Sequence, residues 1–184
     1  TTDFAESKSL AFFTKNGIVK RTNLSEFKNI RSIGVRAINL DENDELVTAL
    51  IVEGEEEPIN IIDELGVETE INEIEAIEAQ IDEENSEKML FIVTKKGMCL
   101  KFKLSKVRQM GRTARGVTGI KFKEAGDEVV GAAVIESNEQ EVLSISQKGI
   151  GKRTTAEEYR LTNRGGKGVI CMKLTNRTGD LIGV

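Results

Sequence analysis

The chain contains no histidine and no tryptophan, and its 184 residues include one proline, one tyrosine and two cysteines. Without histidine there is no imidazole to act as a general base or zinc ligand. No nucleophile is paired with a base either, so triad hydrolysis and structural zinc have no residues to stand on. The cysteines, Cys99 and Cys171, are far apart and each sits in an apolar run. That placement predicts buried free thiols in a reducing compartment rather than a disulfide or metal framework. No apolar run approaches bilayer-spanning length, and residues 1–8 show no charged-then-apolar leader pattern. A cytoplasmic protein is expected, with a core large enough to need no cross-link.

The formal charge of −5 conceals two opposite populations. Residues 53–87 hold fifteen of the 31 acidic side chains and none of the 26 basic ones. The rest of the chain sets 26 basic groups against 16 acidic ones, a balance of +10. Outside the acidic stretch the protein is therefore basic.

Laid on itself, the chain gives three similar segments starting near Leu10, Leu90 and Val142. Each opens with an apolar run and a turn: Thr14-Lys15-Asn16-Gly17, Thr94-Lys95-Lys96-Gly97 and Ser146-Gln147-Lys148-Gly149. Glycine closing a short polar turn between β-rich runs is hairpin chemistry, because the chain must take positive φ there. Ten residues past each turn glycine stands Phe27, Val107 or Tyr159, and seven past it Leu24, Leu104 or Ala156, so two apolar anchors should pin a short loop to the core. Each unit continues with Gly34-Val35, Gly116-Val117 or Gly168-Val169, an acidic turn at Asp44, Asp127 or Asp180, and a further apolar strand. Carboxylates such as Asp41 with Asp44, or Asp127 with Glu128, then read as turn residues rather than as acid/base or metal-binding pairs.

Four short strands per unit at about fifty-residue spacing match the blade of a propeller-like array, an all-β fold. The expected organisation is one domain with a first blade unit over 1–53, an acidic insertion over 54–87, a second unit over 88–138 and an incomplete third over 139–184. In the insertion, Ile71, Ile74, Ile77 and Ile81 fall near helical spacing, which predicts a short amphipathic helix. A solvated excursion accounts for this segment. The alternative is that it lies against the basic loops and competes for their ligand.

Positive charge recurs in register. Four residues past the turn glycine stand Arg21, Lys101 and Arg153; eleven past it stand Lys28, Arg108 and Arg160. Arg31, Arg112, Arg115, Arg164 and Lys167 crowd the same loops among several glycines. One sign of charge at equivalent positions implies that the same edge of each blade meets a common polyanion. Aromatic residues are only 4% of the chain, which argues against base-stacking platforms and for contact with duplex phosphates. A propeller whose basic rim recruits an acidic protein is a reading of another class.

The segments Gly17-Ile18-Val19-Lys20-Arg21-Thr22, Gly149-Ile150-Gly151-Lys152-Arg153-Thr154 and Val107-Arg108-Gln109-Met110-Gly111-Arg112-Thr113-Ala114-Arg115-Gly116-Val117 resemble blades of the DNA gyrase A C-terminal domain. The resemblance covers nearly everything except 53–87. It implies a β-pinwheel, a disc of strand-sharing blades of which about three are present here, whose basic rim wraps double-stranded DNA. It implies no catalytic residue, metal or cofactor in this stretch: the cleavage tyrosine lies elsewhere in gyrase A, and ATP and Mg are used by other domains. The implied partners are DNA, gyrase B and a second copy of gyrase A, on the bacterial chromosome. The family's heptapeptide, Gln-(basic)-Arg-Gly-Gly-(basic)-Gly, is echoed by Thr162–Gly168 except at its first two positions. That departure keeps open the C-terminal domain of the topoisomerase IV homologue, which shares the pinwheel and generally lacks the heptapeptide.

Overall fold

The computed structural model describes Phe4 and residues 7–29, 32–53 and 88–184. Arg31 and the segment 54–87, with its expected helix, lie outside these residues.

Three antiparallel hairpins form the frame: β1 (Lys8–Thr14) with β2 (Ile18–Asn23), β4 (Met89–Thr94) with β5 (Met98–Lys103), and β8 (Glu141–Ser146) with β9 (Gly151–Thr155). The turn glycines take φ of 84°, 79° and 75° at Gly17, Gly97 and Gly149. In each of the first two turns a buried aspartate holds the loop. Asp44 Oδ1 accepts from the Asn16 amide at 2.8 Å, and Asp127 Oδ1 accepts from the Lys96 amide at 2.9 Å. These carboxylates are turn braces, consistent with the sequence reading.

A third strand joins each hairpin on the β1, β4 or β8 side: β3 (Leu46–Glu53), β7 (Val129–Ile135) and β11 (Leu181–Gly183). The fourth strand comes from the next repeat. β6 (Val117–Thr118) completes the first sheet, in the order β3-β1-β2-β6, and β10 (Val169–Ile170) completes the second, in the order β10-β5-β4-β7. The third sheet holds β11-β8-β9. Sheets and sequence repeats thus do not coincide: each of the first two blades borrows an edge from its successor. The repeat spacing gave no sign of this, because a strand of two residues has no periodicity to read.

Alternation along the strands explains the core. On β4, Leu90 and Ile92 face the first blade, while Met89, Phe91 and Val93 face the third. A strand buried on both faces has no polar alternation, and Met89–Thr94 reads MLFIVT, buried throughout. One apolar layer therefore fills each seam. The first joins Phe13, Val19, Leu100, Phe102 and Ile120, and the second joins Phe91, Cys99, Tyr159, Cys171 and Leu181. At roughly 2 kcal/mol for each large side chain buried, these layers are the main force holding blade to blade. Short 3-10 turns at Leu24–Phe27, Leu104–Lys106 and Ala156–Glu158 follow each hairpin. Their anchors Leu24, Phe27, Leu104, Val107, Ala156 and Tyr159 are all buried, as expected.

β3 packs on β7, and β7 on β11. These strands line the inner side, which leaves β6 and β10 and the loops entering them on the outer edge.

Candidate nucleic-acid interface

The outer loops run across the neighbouring blade before becoming its fourth strand. Residues 108–116 pass over the first blade, where Gln109 bridges Arg21 and the Met110 amide donates to the Arg21 carbonyl at 2.8 Å. Residues 160–168 repeat this over the second blade, where Leu161 bridges Lys101 and the Thr162 amide donates to the Lys101 carbonyl at 3.0 Å. A glycine leads into each borrowed strand. A Cβ on Gly116 would meet the Val19 carbonyl oxygen at 2.7 Å, and one on Gly168 would overlap the Cys99 carbonyl.

This strand exchange corrects part of the sequence reading. Arg21 and Lys101 were expected on an exposed rim, but they are 9% and 3% exposed, covered by the loops of the following unit. Lys101 Nζ donates to the Ala156 carbonyl at 2.7 Å and to Asn138 Oδ1 at 2.8 Å, and burial lowers its pKa. It joins the second blade to the third from within. Arg153, at the equivalent place, is exposed and pairs with Glu141 at 3.2 Å. The signal for this difference is absent from the repeat itself, since it depends on which unit covers which.

At the positions eleven past the turn glycine, Lys28, Arg108 and Arg160 are all exposed, one or two residues beyond the last residue of the 3-10 turn. Among the described residues none of them forms an ion pair. Arg112 and Arg115 reach the first seam, where Glu26 lies 3.9 Å from Arg112 Nε and Asp41 accepts from Arg115 Nε at 2.6 Å. Arg164 lies at the second seam and donates to the carbonyls of Lys106 at 2.9 Å and Thr118 at 3.2 Å. Lys167 is exposed beside it.

Sequence reasoning missed Lys20, whose side chain is fully buried. Its Nζ donates to the carbonyls of Ala37 at 2.6 Å and Arg112 at 2.5 Å, and burial lowers its pKa to about 8. No pattern distinguishes it from a surface lysine, because its partners are backbone atoms 17 and 92 residues away.

Among the described residues no group of three or more Cys, Asp or Glu is placed to hold a metal ion, and no helix is long and apolar enough to cross a membrane.

Fold and edge together define a pinwheel of strand-exchanging blades with basic outer loops. The chain belongs to the DNA gyrase C-terminal domain, beta-propeller family, which matches residues 8–53, 88–136 and 140–184. It is 67% identical over its whole length to DNA gyrase A of Campylobacter fetus and 48% identical to that of Helicobacter pylori strain 26695. It spans 22% and 18% of those relatives, about a fifth of their length. Two solved structures share the fold at 24% identity. The match to the C-terminal domain of DNA topoisomerase IV covers 99% of this chain and 46% of that one, with a TM-score of 0.73. The match to the DNA gyrase A C-terminal domain covers 98% and 49%, with a TM-score of 0.72.

Proposed function

We propose that this chain binds duplex DNA along the outer edge of its blades and bends it, as the DNA-wrapping part of a gyrase A protein. The observation that carries this is the exposed series Lys28, Arg108 and Arg160, in register on successive units with no carboxylate partner among the described residues. Bases are not read by such an edge. Phosphates are, so affinity is set by charge and by salt. Bending a few tens of base pairs costs about 1–6 kcal/mol, which repeated phosphate contacts from successive blades offset.

In the whole protein the bend would present DNA for strand passage that introduces negative supercoils in the bacterial cytoplasm. Cleavage belongs to other parts of gyrase A and ATP hydrolysis to its partner gyrase B, with Mg used by domains outside this chain and a second copy of gyrase A completing the assembly. The gyrase identities of the full-length relatives favour this over a topoisomerase IV protein.

The test is binding to a labelled linear duplex across a salt series, with Lys28, Arg108 and Arg160 reversed to glutamate in parallel. Expected is a steep slope for the wild type, reduced by about 0.9 for each phosphate no longer neutralised. Failure of the wild type to bind at low salt would remove the reading.

A further inference from the structure

We propose that the two seams hold DNA unequally, with the second seam gripping the phosphate backbone through Lys106, Lys121, Lys123, Arg164 and Lys167. The inference rests on the duplex-binding reading above.

The repeats can be aligned residue by residue across the seams. Arg112 and Arg164 both stand fifteen past their turn glycine, and Arg115 and Lys167 both stand eighteen past it. The backbone confirms the register: the Asn39 amide donates to the Ala114 carbonyl at 3.2 Å, and the Lys121 amide donates to the Gly166 carbonyl at 2.8 Å. Ala114 and Gly166 each lie seventeen past the turn glycine.

The partners in the preceding unit differ in charge. Glu26 lies nine past Gly17, and its counterpart nine past Gly97 is Lys106. Asp41 lies seven past Gly34, and its counterpart seven past Gly116 is Lys123. Asn39 corresponds to Lys121. The first seam therefore neutralises its own arginines, through the Arg112–Glu26 contact at 3.9 Å and the Arg115–Asp41 hydrogen bond at 2.6 Å. In the second seam the two acids have become lysines, and Arg164 is held by carbonyl oxygens, which orient the guanidinium without cancelling its charge.

Lys106, Lys121, Lys123, Arg164 and Lys167 lie at the surface, and among the described residues none forms an ion pair. Glu124, next to Lys123, is exposed and forms no ion pair with any of them. At the first seam a phosphate must displace a carboxylate from each arginine. At the second it meets cations that pair with no carboxylate among the described residues, and releasing their counterions drives binding.

The experiment uses the 184-residue chain and a labelled linear duplex over a salt series. One variant, Lys106→Glu with Lys123→Asp, installs the acids of the first seam in the second. The reciprocal variant, Glu26→Lys with Asp41→Lys, removes them from the first. The expected result is a loss of roughly tenfold or more in low-salt affinity and a fall of about 2 in salt slope for the first variant, with tighter binding for the reciprocal one. Circular dichroism and melting check the fold, and Lys106→Gln with Lys123→Gln serves as a milder charge removal if the first variant melts early. If the wild type binds while both second-seam variants keep its affinity and slope, the unequal grip is overturned and the duplex reading stands. Absence of wild-type binding overturns both.

Discussion

Lys20 Nζ, wholly enclosed, donates to the carbonyl oxygen of Arg112 across the first seam, and to that of Ala37 in its own unit. One lysine thus ties β2 to two loops, one of which belongs to the following repeat. Replacing it by methionine leaves both carbonyl oxygens without this donor. Lys20→Met should destabilise the chain by about 1–3 kcal/mol in urea unfolding.

The same lysine gives a pH signature. Its folded pKa of about 8 lies below the ordinary value of 10.5, because burial penalises the ammonium. Between those values the unfolded chain binds more protons, so stability rises with pH. The contribution is fully present above 10.5 and is lost as pH falls through 8. Unfolding midpoints for wild type and Lys20→Met, measured between pH 7.5 and pH 10.5 (a range set by those two values), should show this rise in the wild type and its loss in the variant.

Lys101 separates a structural from a ligand-binding lysine. Its Nζ is committed to Ala156 and Asn138 inside the second seam. Lys101→Met should cost about 1–3 kcal/mol of stability and leave the DNA salt slope unchanged under conditions where the variant is folded. A reduced slope would return Lys101 to the binding surface.

Gly116 and Gly126 both have positive φ, 103° and 74°, but only Gly116 is crowded. A Cβ on Gly126 meets nothing within 4 Å, so Gly126→Ala incurs the backbone strain alone, about 1 kcal/mol. At Gly116 the added carbon would also strike the Val19 carbonyl and the Ile18 side chain where β6 joins the first sheet. Gly116→Ala should cost about 2–5 kcal/mol, strain and overpacking together. Equal melting temperatures for the two variants would contradict the strand exchange.

Asp127 accepts from the Thr94 hydroxyl at 2.7 Å and from the amides of Lys96 and Glu128 at 2.9 Å. Asp127→Ala strands these donors and should cost about 2–3 kcal/mol. Asp127→Asn, which keeps one acceptor oxygen for the amides, should cost less. Thermal melts of the pair check the order.

The three hairpins, their turn glycines and the apolar anchors after them were legible in the sequence, because each depends on neighbours a few residues apart. Period-two alternation, turn chemistry and register are local properties, and repetition of a unit reinforces them. The basic positions at Lys28, Arg108 and Arg160 were legible for the same reason: they follow a short turn whose apolar side is buried, and they are exposed in the folded chain.

Arg21 and Lys101 look identical in kind to those positions, yet they are inside. Their fate is decided by residues 108–116 and 160–168, which cross from the next unit and convert an outer strand into a covered one. Likewise Glu26 and Asp41 acquire meaning only when the first seam sets them against Arg112 and Arg115. Local sequence sets the repeating unit and its charge, whereas packing between units settles which charges remain in water, because burial and pairing are properties of the seams.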